Sequence, residues 1–223
     1  MAETTRSNKY GIVRKAKRRK KRAVYRYFNK ENAVMAIEGW GKGEEIFGFT
    51  KGQFSMVDLL EAVLERTGEA DVVVSTWTAA AQDLRRCLLF LQKDMARSML
   101  WLVDLSFERR VPEFALRLKE VFGETSVRII PSHCKFMLVR NEDWNIVIQT
   151  SMNLNHNPRL ENFWICDDKD FYDSYYELVN MIFALQRPGA GFGRRPKDTK
   201  AEFKRLGEEA EALSDLDIDV ELG

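Results

Sequence analysis

"DVVVSTWTAAAQDLRRCLLFLQKDMARSMLWLVDLSF", residues 71–107, changes its period twice. "DVVVSTWT" is a short β-branched apolar run, which predicts a strand. "AAQDLRRCLLFLQKD" then sets Leu84, Cys87, Leu88 and Leu91 at helical spacing, and "SMLWLVDLSF" returns to a strand pattern. On the C-terminal side, "VPEFALRLKEVFG" predicts a helix with Pro112 near its start and Gly123 past its end, and "SVRIIP" another strand. Strand, helix, strand, helix, strand in units of this length predicts parallel strands joined by crossover helices, hence an α/β sandwich.

On the N-terminal side, "SMVDLLEAVLERTG" predicts a helix. Ser55 is its N-cap with Asp58 three residues on, Leu59, Leu60, Val63 and Leu64 form its apolar face, and Gly68 ends it. "AVMAIEGWGKGEEIFGFT" before it mixes short β-prone pieces with glycines. After residue 130 the pattern becomes antiparallel: "HCKFMLVR" and "WNIVIQTS" flank "NEDW", whose turn formers Asn141 and Asp143 predict a hairpin. "FYDSYYELVNMIFALQ" closes the core as an amphipathic helix, and "RPGAGFGRRPKDTK" has the composition of a linker. The expected organisation is a basic arm and lead-in over 1–45, an α/β domain over 46–186, and a Gly/Pro linker with an acidic tail over 187–223. No internal repeat is present, so a site is encoded once.

The hydrophobic content of 45% in 223 residues is enough for a core. No apolar run is long enough to cross a bilayer and the N-terminus lacks the apolar core of a secretory signal, so a cytoplasmic protein with no membrane partner is expected. Cys87, Cys134 and Cys166 have no metal-ligand spacing, so no disulfide and no metal site is expected, and a buried apolar role is assigned to them. The net charge of +1 conceals polarity. Residues 1–30 carry twelve Lys/Arg against Glu3, whereas residues 201–223 carry eight Asp/Glu against Lys204 and Arg205. Arg14, Lys15, Lys17, Arg18, Arg19, Lys20, Lys21 and Arg22 form a run dense enough to attract a polyphosphate by counterion release, and nucleic acid is the expected partner. A solubilising arm, a localisation signal or an anionic membrane surface would use the same composition.

The chain has two histidines, His133 and His156. On a strand, His133 and Lys135 would share a face with Met137 and Val139, and Ser151 and Asn153 on the next strand would meet them across the hairpin. An imidazole, an ammonium, a hydroxyl and a carboxamide then converge, a set suited to a phosphate: imidazole as nucleophile, Lys135 and Asn153 on the non-bridging oxygens, and Glu161 as the carboxylate that orients the ring. His156 is read as a turn-forming or substrate-side loop residue. Trp77 falls at a strand end, where α/β proteins place ligand-binding residues, with Ser75, Thr76 and Thr78 around the same cleft. Packing accounts for the spacing of the tryptophans, and no function is assigned to them.

His133-Cys134-Lys135, Ser151-Met152-Asn153 and Glu161-Asn162 together resemble the His-x-Lys-Asp motif of the phospholipase D superfamily and its downstream Ser-x-Asn and Glu-Asn. The preceding strand–helix alternation from Asp71 resembles that family's fold, and the likeness covers roughly half of the chain. Two positions depart from the pattern. Arg140 stands where the family has Asp, and Thr150 where it has glycine, and the interval between the two elements is three residues longer.

The resemblance implies a phospholipase D-like sandwich, a mixed sheet flanked by helices. It implies a metal-independent phosphodiesterase that needs no cofactor and works through a phosphohistidine. A single His-x-Lys implies a homodimer whose two His133 side chains share one site. With the basic arm, a nuclease acting on DNA or RNA is the first expectation, and a phage or mobile-element origin suits a chain of this kind. A catalytically degenerate nucleic-acid-binding protein and a phospholipase are the alternatives.

Overall fold

The computed structural model describes residues 21–26, 32–107, 112–155 and 158–190, with helical positions 201, 204, 205 and 208. The run from Arg14 to Lys20 and His156 lie outside the described residues; Lys21 and Arg22 open the first strand.

The strands are β1 (Lys21–Arg26), β2 (Glu44–Thr50), β3 (Ala70–Thr76), β4 (Ala96–Asp104), β5 (Val127–Ile130), β6 (Phe136–Arg140), β7 (Asn145–Thr150) and β8 (Glu161–Asp167). The helices are α1 (Ala33–Ala36), α2 (Met56–Thr67), α3 (Ala81–Gln92), α4 (Pro112–Phe122) and α5 (Lys169–Leu185). Among the described residues the strands form one mixed sheet in the order β1-β2-β8-β7-β6-β3-β4-β5. The predicted β3–α3–β4–α4–β5 unit is present, with β3 parallel to β4 and β4 parallel to β5. The predicted hairpin is present as antiparallel β6 and β7, register Phe136↔Gln149 to Arg140↔Asn145.

Local chemistry explains the boundaries. Ser55 Oγ accepts from Asp58 N at 3.3 Å while Asp58 Oδ2 accepts from Ser55 N at 2.6 Å, the reciprocal cap read from the sequence. Gly68 ends α2 with φ +78°, a conformation that glycine adopts at no steric cost. In the hairpin turn, Asn141 Oδ1 accepts from the backbone N–H of Asp143 and Trp144.

The sheet separates two cores with a period of two residues. Val72, Val74, Trp101, Val103, Met137, Val139, Ile146, Ile148, Phe163 and Ile165 face α1 to α4. Val73, Leu102, Leu138, Val147 and Cys166 face Tyr172, Val179 and Ile182 of α5. The far end of α5 is fastened to β5: Arg128 Nη2 donates to Phe183 O at 3.2 Å and Gln186 Nε2 to Ile129 O at 2.9 Å.

Three features differ from the sequence reading. β2 and its parallel partner β1 belong to the sheet, so the sheet begins before residue 46. "ENFWICD", which the sequence reading assigns to no element, is a strand, β8, lodged between β2 and β7. Cys134 is exposed, whereas Cys87 and Cys166 are buried as expected.

Candidate functional site

The strand directions bring the carboxyl ends of β2, β3, β4, β5 and β7 to the same edge of the sheet as the amino ends of β6 and β8. His133, Lys135, Ser151, Asn153 and Glu161 all come from that edge.

His133 and Lys135 precede β6 instead of lying within it; the shared-face reading fails for them because the regular ladder begins at Phe136. Met137 and Val139 are buried in the core. The segment Pro131–Lys135 has no regular structure, and its neighbours hold it. Ser132 N donates to Asp104 Oδ2 at 3.1 Å, Cys134 N to Ser132 Oγ at 3.1 Å, and Ser75 Oγ to Cys134 O at 3.0 Å. Thr150 N donates to Lys135 O at 3.2 Å, extending the hairpin by one link. The ends of β3, β4 and β7 thus position the His-x-Lys segment.

Lys135 Nζ lies 3.5 Å from His133 Nδ1 and donates to His133 O at 3.1 Å. Burial pulls the Lys135 ammonium below the usual lysine range, and the Glu161 carboxylate opposes that shift. Glu161 accepts a hydrogen bond from Ser151 Oγ, which in turn accepts from Asn162 N at 3.0 Å. The carboxylate assigned to orient the His133 ring therefore bonds to the serine. Asn153 is half-buried, and its Oδ1 is a buried acceptor without a hydrogen-bond partner among the described residues.

Thr150, at the position where glycine was expected, contributes a tie of its own. Its Oγ1 donates to Asn162 O at 2.7 Å and accepts from Met152 N at 3.0 Å, fixing the approach to Ser151 and Asn153. Trp77 was assigned no function, yet its ring centroid lies 5.4 Å from that of His133. The signal available beforehand was its place at the end of β3. Trp40 and Trp101 are core residues, as their spacing implied. Among the described residues no group of His, Cys, Asp and Glu is arranged to hold a metal ion, and no helix is long and apolar enough to cross a membrane.

The arrangement offers one imidazole and one ammonium at an exposed sheet edge, with a serine–carboxylate pair beside them. Such a site can receive an anion and present a nitrogen nucleophile to it.

No protein-family model and no curated protein matches the chain. Among solved structures it is similar to polyphosphate kinase from Porphyromonas gingivalis, with 14% identity over 70% of this chain and 29% of that one and a TM-score of 0.50. It is also similar to a phospholipase D family member, Nuc from Salmonella typhimurium (14% identity, 64% and 95% of the two chains, TM-score 0.43). NucT from Helicobacter pylori aligns with 11% identity over 63% and 97% of the two chains, TM-score 0.45. The chain spans under a third of the polyphosphate kinase and nearly the whole length of the other two. At these identities the likeness is one of fold.

Proposed function

We propose that this protein, an α/β fold whose His-x-Lys and Ser-x-Asn elements resemble those of the phospholipase D superfamily, is a metal-independent phosphodiesterase, a nuclease that cleaves DNA or RNA through a phosphohistidine. The observation that carries the reading is the 3.5 Å approach of Lys135 Nζ to His133 Nδ1 at the sheet edge. The Ser151–Glu161 pair beside it supports the same reading. The basic run from Arg14 to Arg22 supplies the argument for nucleic acid.

An ammonium only donates, so its contact with Nδ1 favours the imidazole with its proton on Nε2. With a second proton on Nδ1 the ring becomes the imidazolium, the form that hands its Nε2 proton to a leaving oxygen and is left as a neutral imidazole. When Lys135 turns to a non-bridging phosphate oxygen, Nδ1 is released to carry the proton and Nε2 becomes the nucleophile. Two copies of His133 across a two-fold axis then divide the work. One Nε2 attacks phosphorus as the P–O bond to the leaving group breaks, and the other Nε2–H protonates that oxygen. Water next attacks the phosphohistidine, the second imidazole takes its proton, and the P–N bond breaks. Lys135 and Asn153 balance the charge that develops on phosphorus oxygens, while Glu161 holds Ser151 and stabilises the Lys135 ammonium.

The test is cleavage of plasmid, single-stranded DNA, RNA and an activated phosphodiester in excess EDTA. Activity is expected to persist, His133→Ala to abolish it, and Lys135→Ala to lower it about a hundredfold to a thousandfold. His156→Ala is expected to do little. A folded wild type that binds nucleic acid and cleaves none of these substrates overturns the enzyme reading in favour of a binding protein.

A further inference from the structure

The imidazole at the centre of this site lies 3.5 Å from Lys135 Nζ and 5.4 Å from the Trp77 ring between centroids, and among the described residues no carboxylate hydrogen-bonds to it. Glu161 is turned to Ser151. A lysine on a flexible stem marks a direction for Nδ1 but does not define the plane of the ring. The half-buried indole adds a ring-to-ring contact, which depends on the orientation of the imidazole plane.

The indole is also tied to the strand that carries it. Trp77 follows directly on β3, whose register with β6 is set by Ser75↔Phe136. One residue pair away, Ser75 Oγ bonds Cys134 O, joining β3 to the residue next to His133. The two rings are therefore anchored to a common frame, at an interplanar angle of 55°. Tilted contacts of this kind are favoured by the ring quadrupole and stabilise a defined geometry.

We propose that Trp77 is the positioning residue for His133, fixing the plane of the imidazole in the role that a carboxylate had been expected to fill. Its consequence for turnover rests on the phosphodiesterase reading above; the ring contact itself does not. The inference adds a residue from outside the His-x-Lys, Ser-x-Asn and Glu-Asn elements, supplied by a different strand.

Two measurements on the full chain test it. The protein has two histidines, so the His133 ring protons are identified in proton NMR spectra by comparison with His156→Asn. In the wild type they are expected to be displaced by the indole ring current, and in Trp77→Leu, which keeps apolar volume, to return to the position of a free imidazole. Trp77→Phe is expected to retain part of the displacement. On an activated phosphodiester, Trp77→Leu is expected to lower kcat roughly a hundredfold with KM within about twofold, the scale for a misplaced reacting group, and Trp77→Phe to recover most of it. Unchanged His133 shifts in Trp77→Leu overturn the proposal. So does a rise in KM at constant kcat, which would make the indole a substrate contact. If the wild type hydrolyses nothing, the enzyme reading fails, and the NMR comparison alone decides whether Trp77 sets the ring.

Discussion

Arg140, the last residue of β6, stands 3.9 Å from Asp173 on α5, and its guanidinium lies 5.5 Å from the centre of the Tyr172 ring. It occupies the position where the resembled family carries Asp, but it lies five residue steps, roughly 17 Å along an extended strand, from Lys135. Its register partners are Asp71 and Asn145, at the turn end of the hairpin. Arg140 is thus part of the seam between sheet and α5, remote from the anion site. Arg140→Asp would set a carboxylate between Asp71 and Asp173. The expected outcome is a loss of stability of about 1 kcal/mol, a fall of about 2–4 °C in Tm, smaller at high salt. Rates measured on folded protein should equal those of the wild type. A gain in activity would show that this end of β6 communicates with the site.

In the proposed mechanism the lowered Lys135 ammonium is expected to set the alkaline side of the pH profile. Because burial lowers its pKa, the cation is lost at a pH below the usual lysine range, and kcat/KM should fall there as pH rises. Glu161 raises that pKa, so Glu161→Gln should move the alkaline limb to still lower pH and slow turnover while sparing substrate binding. Lys135→Arg should remove the limb from the accessible range, since a guanidinium keeps its proton, at a lower maximal rate. A pH–rate series on the three proteins checks the direction of both shifts.

In the proposed mechanism the single His-x-Lys segment takes a second imidazole for the leaving group from another copy of the chain. Sedimentation is expected to give about twice the 26.0 kDa chain mass. Mixing His133→Ala chains with wild-type chains should lower activity more than in proportion, because mixed dimers hold one imidazole. A fully active monomer would remove the shared site.

The described sheet begins at Lys21. Deleting residues 1–20 should weaken nucleic-acid binding and flatten its dependence on salt, with the Tm unchanged. Extending the deletion through Arg26 removes β1, pairing Lys21↔Glu44 to Arg26↔Phe49, and exposes the β2 edge. That longer deletion should aggregate, as an uncovered strand edge does. Equal salt slopes for the full chain and the shorter deletion would identify the run as a solubilising arm.

What the sequence determined alone is what local pattern encodes: the cap at Ser55, the alternation from β3 to β5, and the β6–β7 turn at Asn141. Each depends on a few neighbouring residues and on periods of 2 or 3.6. The tertiary structure decided what depends on pairing across long separations. β8 forms because "ENFWICD" finds β2 on one side and β7 on the other, and neither partner is visible in its own period. His133 and Lys135 sit ahead of β6 because the ends of three other strands hold that segment before the ladder begins. Glu161 meets Ser151 through the β7–β8 register, and Trp77 meets His133 through the β3–β6 register. Side-chain partners of this kind are set by which strands become neighbours, a property of the whole sheet and not of any one stretch of the chain.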